Sequence, residues 1–283
     1  MYSVSPFWFA NHILLLLSIG SLIHHYLLPV LTFTIALILT AIISVSYIYS
    51  RLHAIQNSSQ ISFSKKELLR TSFPMLIIAI FSFLQNNISI YFLEIYTSTD
   101  QVGIFSVSLR LASLISLFLI AVNTISAPKF SELFWSNQHK ELQKVIFYSS
   151  KLIFIFSILA AAGIIIFSLS ILKFFGSEFE QGRIVLIILI MGQIINSFTG
   201  SVGILLNMTG NQKLYRNIVL IIFPFNILLS FVFIPIYGIL GAAIVNIVTV
   251  FLLNFFSAII VYNKLSLLTI YFPFLSFKII KQI

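Results

Sequence analysis

The chain alternates long apolar runs with short polar breaks along most of its length. An α-helix needs about 20 mainly apolar residues to cross roughly 30 Å of hydrocarbon. Eight runs meet this requirement, near residues 7–23, 30–49, 72–93, 102–125, 147–170, 184–206, 217–236 and 239–262. The pattern therefore predicts an all-α, polytopic membrane protein with about eight transmembrane helices.

Short connections join some of these runs. Residues 94–101 separate the third and fourth runs, and residues 235–238 separate the last two. Such tight connections predict antiparallel helical hairpins. A further apolar stretch, residues 267–277, is too short to span and is interrupted by a proline, so we expect it to lie at the membrane interface.

Composition agrees with a bilayer environment. Hydrophobic residues make up 59% of the 283 positions and charged residues 8%. Soluble globular domains carry about 25% charged residues, so this class is excluded, and the same figures exclude disordered and disulfide-rich proteins. The sequence contains no cysteine, so we expect neither a disulfide nor a thiolate site.

The net charge of +9 comes from an uneven placement of basic residues. Of the 16 Lys and Arg residues, 13 lie in one set of alternate loops and two in the other. Positive charge concentrates in the cytoplasmic loops of membrane proteins, which with an even number of spans predicts that both termini are cytoplasmic. The excess of basic residues thus indicates the membrane topology of the chain. We expect contact with membrane lipids and no nucleic-acid partner.

The remaining basic residue, Arg110, falls inside the fourth predicted span. A charge at that depth is costly and usually faces the interior of a bundle or an aqueous cavity. One interpretation is a fixed cation for an anionic group of a substrate, because a guanidinium holds phosphate or carboxylate with two parallel hydrogen bonds. The alternative is structural: Arg110 reaches outward to the interface or pairs with Glu94 or Asp100.

Uncharged polar residues recur at helical spacing in the third, fourth and sixth spans. With the basic residue they form the candidate substrate-binding set: Arg110, Gln85, Asn86, Asn87, Ser106, Gln193 and Asn196. Facing stripes of amides and hydroxyls predict a hydrophilic cavity suited to sugar hydroxyls. The alternative is that these residues hold helices together, as small and amide residues do in membranes.

Other polar residues extend or stand apart from this set. On the sixth span the stripe continues through Gly200, Gly203 and Asn207. We interpret the isolated asparagines as packing residues: Asn123, Asn226, Asn246 and Asn254.

Features that enzymes need are missing from the sequence. It has no GxxxxGK[ST] phosphate loop, and its seven acidic residues and five histidines form no metal-ligand or paired-carboxylate pattern. We therefore expect no catalytic residue, no metal and no cofactor. A polytopic polymerase or acyltransferase stays an alternative, as does a small-molecule exporter, although a cation-coupled exporter is expected to carry an acid within a span.

From residue 65 onward, six segments occur in an order that is typical of one family. They are Leu68 to Pro74, Val102 to Arg110, Ala127 to Ser131, Phe174 to Phe179, Leu206 to Lys213 and Ile234 to Ala243. On these segments the chain resembles the Wzx-type bacterial polysaccharide flippases, which are related to MATE exporters.

The resemblance implies a transporter of undecaprenyl-pyrophosphate-linked oligosaccharide repeat units. Such a transporter moves them from the cytoplasmic to the periplasmic leaflet of the bacterial inner membrane, for O-antigen or capsular polysaccharide biosynthesis. The resemblance also implies that Arg110 occupies the family's usual basic position, where it meets a pyrophosphate or an acidic sugar.

The resemblance also bears on how the chain is organised. Family members have two similar bundles around a central cavity, and this chain matches the second six-helix bundle plus two preceding helices. We therefore expect a truncated or split form, or association with a second copy or with another chain that supplies the N-terminal bundle. The expected divisions are a two-helix hairpin with its cytoplasmic loop, a six-helix bundle and an interfacial basic tail: 1–64, 65–265 and 266–283.

Overall fold

The structure is a computed structural model that describes residues 65–271 and the helical positions 35, 38–40, 42, 43 and 46. The first two predicted spans otherwise lie outside the described residues, as does the predicted tail beyond Tyr271. The chain divides into two compact units, Met1–Ser64 and Lys65–Ile283. Every helix whose bounds the structure gives belongs to the second unit.

Residues 65–265 fold mainly into helices, and no strand occurs among residues 65–271. The α-helices are α1 (Lys65–Tyr96), α2 (Thr99–Ser113), α3 (Ser116–Trp135), α4 (His139–Ile166), α5 (Ser168–Phe175), α6 (Arg183–Thr199), α7 (Val202–Met208) and α8 (Gln212–Leu265). A 3₁₀-helix, Ser177–Gly182, joins α5 to α6. Helices are the expected product of apolar runs in a bilayer, because they satisfy their backbone hydrogen bonds internally.

Five helical stretches of the described part are long and apolar enough to cross a membrane. They are Leu69–Tyr96, Thr99–Trp135, His139–Ile166, Ser177–Thr199 and Gln212–Leu265. These stretches overlap the six spans predicted between residues 72 and 262. The prediction of an all-α polytopic protein is therefore confirmed, and the chain is a multi-pass membrane protein.

Helix α8 is a hairpin of two arms that meet at Gly238. This residue has non-helical angles, φ 54° and ψ −130°, in the left-handed region that glycine adopts without strain. A Cβ added at Gly241 would collide with the carbonyl of Phe233, although eight residues of continuous helix would separate the two by about 12 Å. The arms therefore run antiparallel, and at about 26 residues each is long enough to span.

Two apolar clusters hold the helices together. The first core cluster comprises Leu93, Phe105, Ala112, Ile115, Ala161, Leu172, Val185, Leu186, Leu189, Ile190, Ile234, Ala242 and Ala243. The second core cluster comprises Phe130, Leu133, Leu142, Ile146, Leu205, Leu206, Val261 and Leu267. Along α3, residues 119–123 lie between Ile115 of the first cluster and Phe130 of the second. Two residues of this stretch, Leu119 and Asn123, face a cavity between helices.

Candidate functional site

The junction between α2 and α3 changes the helix geometry next to Arg110. The Leu114 N–H donates to the carbonyl of Leu111 at 3.3 Å, and the Ile115 N–H to that of Ala112 at 3.2 Å. These bonds span three residues in place of four, as in a 3₁₀-helix, and such a stretch within a longer helix often marks a hinge. The Ser113 hydroxyl donates to the carbonyl of Arg110 at 2.7 Å, which gives that carbonyl a partner beside the junction.

The Arg110 side chain itself is exposed. Within residues 65–271, the ion pairs join Lys129 to Glu132 and Lys144 to Glu141, each inside one helix. Pairing of Arg110 with Glu94 or Asp100 is therefore not formed. Its guanidinium is available to an anionic group from outside this part of the chain, and reaching outward to the interface stays the other alternative.

A cavity of about 160 Å³ lies where α6 ends and α7 begins. Its walls come from α3, from the α6–α7 junction and from both arms of α8: Leu119, Asn123, Asn196, Gly200, Ser201, Val202, Gly203, Ile204, Asn207, Tyr215, Leu253 and Asn254. The junction depends on Gly200, whose φ of 71° and ψ of −148° lie in a region that is essentially restricted to glycine.

The polar lining of this cavity is only partly paired. Asn254 donates from Nδ2 to Oδ1 of Asn196 at 3.1 Å. Three further groups, Oδ1 of Asn123, Oγ of Ser201 and Oδ1 of Asn207, are buried with no hydrogen-bond partner. Because an unpaired buried polar group costs about 1–3 kcal/mol, the cavity favours an occupant that donates hydrogen bonds, such as water or a hydroxyl group.

The electrostatic character of the cavity is neutral. None of its described lining residues is charged. Residues 65–271 also contain no group of three or more His, Cys, Asp or Glu side chains placed to hold a metal ion. The described bundle thus offers neutral hydrogen-bonding groups in the cavity and, inside the fourth predicted span, the positive charge of Arg110.

The structure distributes the predicted binding residues, all of which it describes, over several surfaces. Of the seven, Asn196 lines the cavity, and Gln193 lies one turn earlier on α6, where it is half-buried. On α1, Oε1 of Gln85 is buried without a partner, whereas Asn87 donates to the carbonyl of Phe83 at 2.8 Å. Asn86 on α1 is exposed and Ser106 on α2 is half-buried.

Five polar side chains of the lining were not in the predicted set: Asn123, Ser201, Asn207, Tyr215 and Asn254. Asn207 belongs to the stripe of small and polar residues on the sixth span. The helical spacing of that stripe therefore indicated that Asn207 shares a face with Asn196. Asn123 and Asn254, interpreted as packing residues, each face the cavity from another helix. The sequence of one helix does not indicate which residues of other helices will lie beside it, because that depends on how segments distant in the chain pack together.

Comparison with known proteins identifies the family of this chain. The protein-family model described as MatE matches residues 74–232, which is more than half of the chain. A Haloferax volcanii protein described as a probable low-salt glycan biosynthesis flippase, Agl15, is 30% identical over 151 residues. That match covers 53% of the chain and 32% of the relative, so the chain spans about a third of the relative's length. No solved structure matches the chain significantly. The chain therefore belongs to the MatE family.

Proposed function

We propose that this chain takes part in moving lipid-linked oligosaccharides from the cytoplasmic to the opposite leaflet of a membrane. More specifically, we propose that the cargo is an undecaprenyl-pyrophosphate-linked repeat unit of O-antigen or capsular polysaccharide. The membrane is then the bacterial inner membrane. Membership of the MatE family supports a transporter and not an enzyme. The relative described as a glycan biosynthesis flippase supports a role in glycan assembly.

The observation that carries the proposal is the exposed Arg110, which has no ion-pair partner within residues 65–271. A guanidinium inside a membrane span requires an anionic partner or water to offset its desolvation. A pyrophosphate head group presents oxygens that accept two parallel hydrogen bonds from one guanidinium. The 3₁₀ stretch beside Arg110 gives the helix a place to bend while the head group is held.

The neutral cavity at the α6–α7 junction suits the sugar portion of the cargo. Its unpaired acceptor groups match hydroxyl donors, and its volume of about 160 Å³ is that of roughly five water molecules. An exporter of organic cations is disfavoured, because none of the described lining residues is acidic. The remaining predicted residues, Gln85, Asn86, Asn87, Ser106 and Gln193, stay candidates for contacts elsewhere along the substrate path.

A facing bundle completes the proposed transporter. Alternating access generally requires one bundle of helices to rock against another around a shared site. We propose that this second bundle comes from another copy of the chain or from a separate chain, and that it faces Arg110. By the predicted topology, both termini of this chain lie in the cytoplasm.

A binding experiment tests the role of Arg110. The full chain in lipid nanodiscs is titrated with undecaprenyl pyrophosphate and, in parallel, with undecaprenol, which lacks the anionic head group. We expect Arg110→Gln to weaken pyrophosphate binding by about 10- to 100-fold, the effect of losing charge-assisted hydrogen bonds, and to leave undecaprenol binding unchanged. Arg183→Gln, at the start of α6, is the matched control and leaves both titrations unchanged. Unaltered pyrophosphate affinity in Arg110→Gln contradicts the proposal.

A cellular experiment tests transport. In bacteria that lack their own repeat-unit flippase, the chain is expected to restore surface polysaccharide, and Arg110→Gln to abolish this restoration at equal membrane levels. Arg110→Lys keeps the charge without the two-pronged geometry, so we expect it to retain part of the activity. Full restoration by Arg110→Gln rules out the proposed contact with the substrate.

A further inference from the structure

The chain continues past α8 as a short non-helical segment, residues 266–271, which we call the strap. Ser266 follows the last helical residue and adopts left-handed angles, φ 53° and ψ 37°, which turn the chain out of the helix. Residues 267–271 have no regular secondary structure. By the predicted topology, the strap lies at the cytoplasmic end of the bundle.

Apolar contacts seat the strap in the bundle. Leu267, Thr269 and Tyr271 are 3%, 4% and 9% exposed, so alternate side chains of the strap are buried. Leu267 belongs to the second core cluster. The ring of Tyr271 packs beside two rings of α4, with centroid distances of 5.5 Å to Phe147 and 5.7 Å to Phe154. The strap is therefore a packed part of the bundle.

Hydrogen bonds hold the strap to two different helices. The side chain of Gln143 on α4 donates from Nε2 to the carbonyl of Leu268 at 2.8 Å and accepts from its N–H at 2.9 Å. The Ser150 hydroxyl on α4 donates to the carbonyl of Thr269 at 2.9 Å. The Tyr271 N–H donates to the carbonyl of Phe198, near the end of α6, at 3.3 Å. Three of the four bonds thus come from side chains of α4.

The strap also touches the junction that forms the cavity. Gly200 lines the cavity, and a Cβ at this position would lie 3.1 Å from the carbonyl oxygen of Thr269. The same Cβ would collide with Oγ of Ser150, the residue that holds Thr269. Gly200, Ser150 and the strap backbone therefore form one close-packed contact at the cavity wall.

We propose that the strap is a latch that holds one wall of the polar cavity in place by bracing the α6–α7 junction. Release of the strap breaks four hydrogen bonds and withdraws Leu267 and Tyr271, and no helix has to unfold. The junction at Gly200 then loses its brace, and the buried Ser201 beside it becomes accessible from the cytoplasmic side. The latch goes beyond the proposed transport function, because it acts on the cavity whatever the cargo is.

Cysteine accessibility tests the latch, since the chain has no cysteine of its own. A thiol reporter is introduced as Ser201→Cys, at a lining position that is 5% exposed. The labelling rate with N-ethylmaleimide is measured on the full chain in membranes, with and without Gln143→Leu. We expect labelling to accelerate about tenfold in Gln143→Leu, the population change for two lost hydrogen bonds. Ser150→Ala, which removes one bond, is expected to give a smaller acceleration.

Two controls separate latch release from general loosening. A second reporter, Ser157→Cys, lies about 10 Å further along α4 than Ser150, is fully buried and is hydrogen-bonded to Ser197 at 2.8 Å. We expect its labelling rate to stay unchanged in Gln143→Leu. Lys151→Gln, an exposed position on α4, should leave both reporters unchanged. An unchanged rate at position 201 in Gln143→Leu, or an equal increase at position 157, overturns the latch. Neither result bears on the Arg110 binding experiment.

Discussion

Asn254 on the second arm of α8 donates a hydrogen bond from Nδ2 to Oδ1 of Asn196 on α6, at 3.1 Å. The same Nδ2 donates to the carbonyl of Val250, one turn earlier in α8, at 2.9 Å. The helix backbone thus orients the Asn254 amide toward α6. This contact joins two walls of the polar cavity, since both asparagines line it.

A double-mutant cycle with Asn196→Leu and Asn254→Leu should reveal this contact as an energetic coupling. We expect a coupling of about 0.6 kcal/mol, with roughly 1.7 kcal/mol as the upper limit for hydrogen bonds between membrane helices. The measurement is the free energy of unfolding of the purified chain in detergent. A cycle that pairs Asn254 with Asn87 is the control, because Asn87 donates to the carbonyl of Phe83 within α1, and the two effects should add. Additive effects for Asn196 and Asn254 would contradict the contact.

Gly200→Ala should destabilise the chain by about 1–3 kcal/mol, because the backbone angles at this position strain any residue with a Cβ. The new methyl group also collides with Oγ of Ser150. Gly163→Ala in α4 is the matched control, since no atom lies within 4 Å of a Cβ there. That control should be neutral or stabilising by up to about 1 kcal/mol. Unfolding in detergent measures both, and equal stabilities would show that the junction does not depend on glycine.

Gly241→Ala tests the α8 hairpin. Its Cβ would collide with the carbonyl of Phe233 and lie 3.2 Å from Cα of Ile234. Because these neighbours are backbone atoms, they cannot move away as a flexible side chain would, and we expect a loss of about 1–3 kcal/mol. Gly103→Ala in α2, where a Cβ meets nothing within 4 Å, serves as the comparison. A melting temperature of Gly241→Ala equal to that of Gly103→Ala argues against the close approach of the two arms.

The helices could be predicted from the sequence because the bilayer leaves an apolar run few alternatives. A run of about 20 apolar residues forms a helix, since its backbone finds no other hydrogen-bond partners. The turn at residues 235–238 could also be predicted from the sequence, because proline and glycine tend to end helices. The resemblance to flippases related to MATE exporters is confirmed as membership of the MatE family, and the O-antigen type stays a proposal.

The cavity could be predicted only in part. Periodicity within one helix indicates which residues share a face, and this identified Asn196 as a candidate. It carries no information on which faces of distant helices meet, so Asn123 and Asn254 were interpreted as packing residues. The same limit applies to the first residues of the tail. Leu267, Thr269 and Tyr271 are buried, and Gln143, which bonds to the backbone of Leu268, lies more than 120 residues earlier in the chain. The predicted interfacial position of the rest of the tail stays a prediction.

The distribution of basic residues predicts which loops face the cytoplasm, and single cysteines can test it in this cysteine-free chain. Ser98 lies in the connection between α1 and α2, and His139 lies at the start of α4; both are exposed. Because basic residues concentrate on the side of His139, Ser98→Cys should react with a membrane-impermeant maleimide in intact cells, and His139→Cys should react only after permeabilisation. A permeant maleimide labels both and controls for reactivity. The reverse pattern would place Arg110 near the cytoplasmic end of its span. It would then also exclude the latch as a cytoplasmic element, so this labelling decides the orientation of the whole proposed transport path.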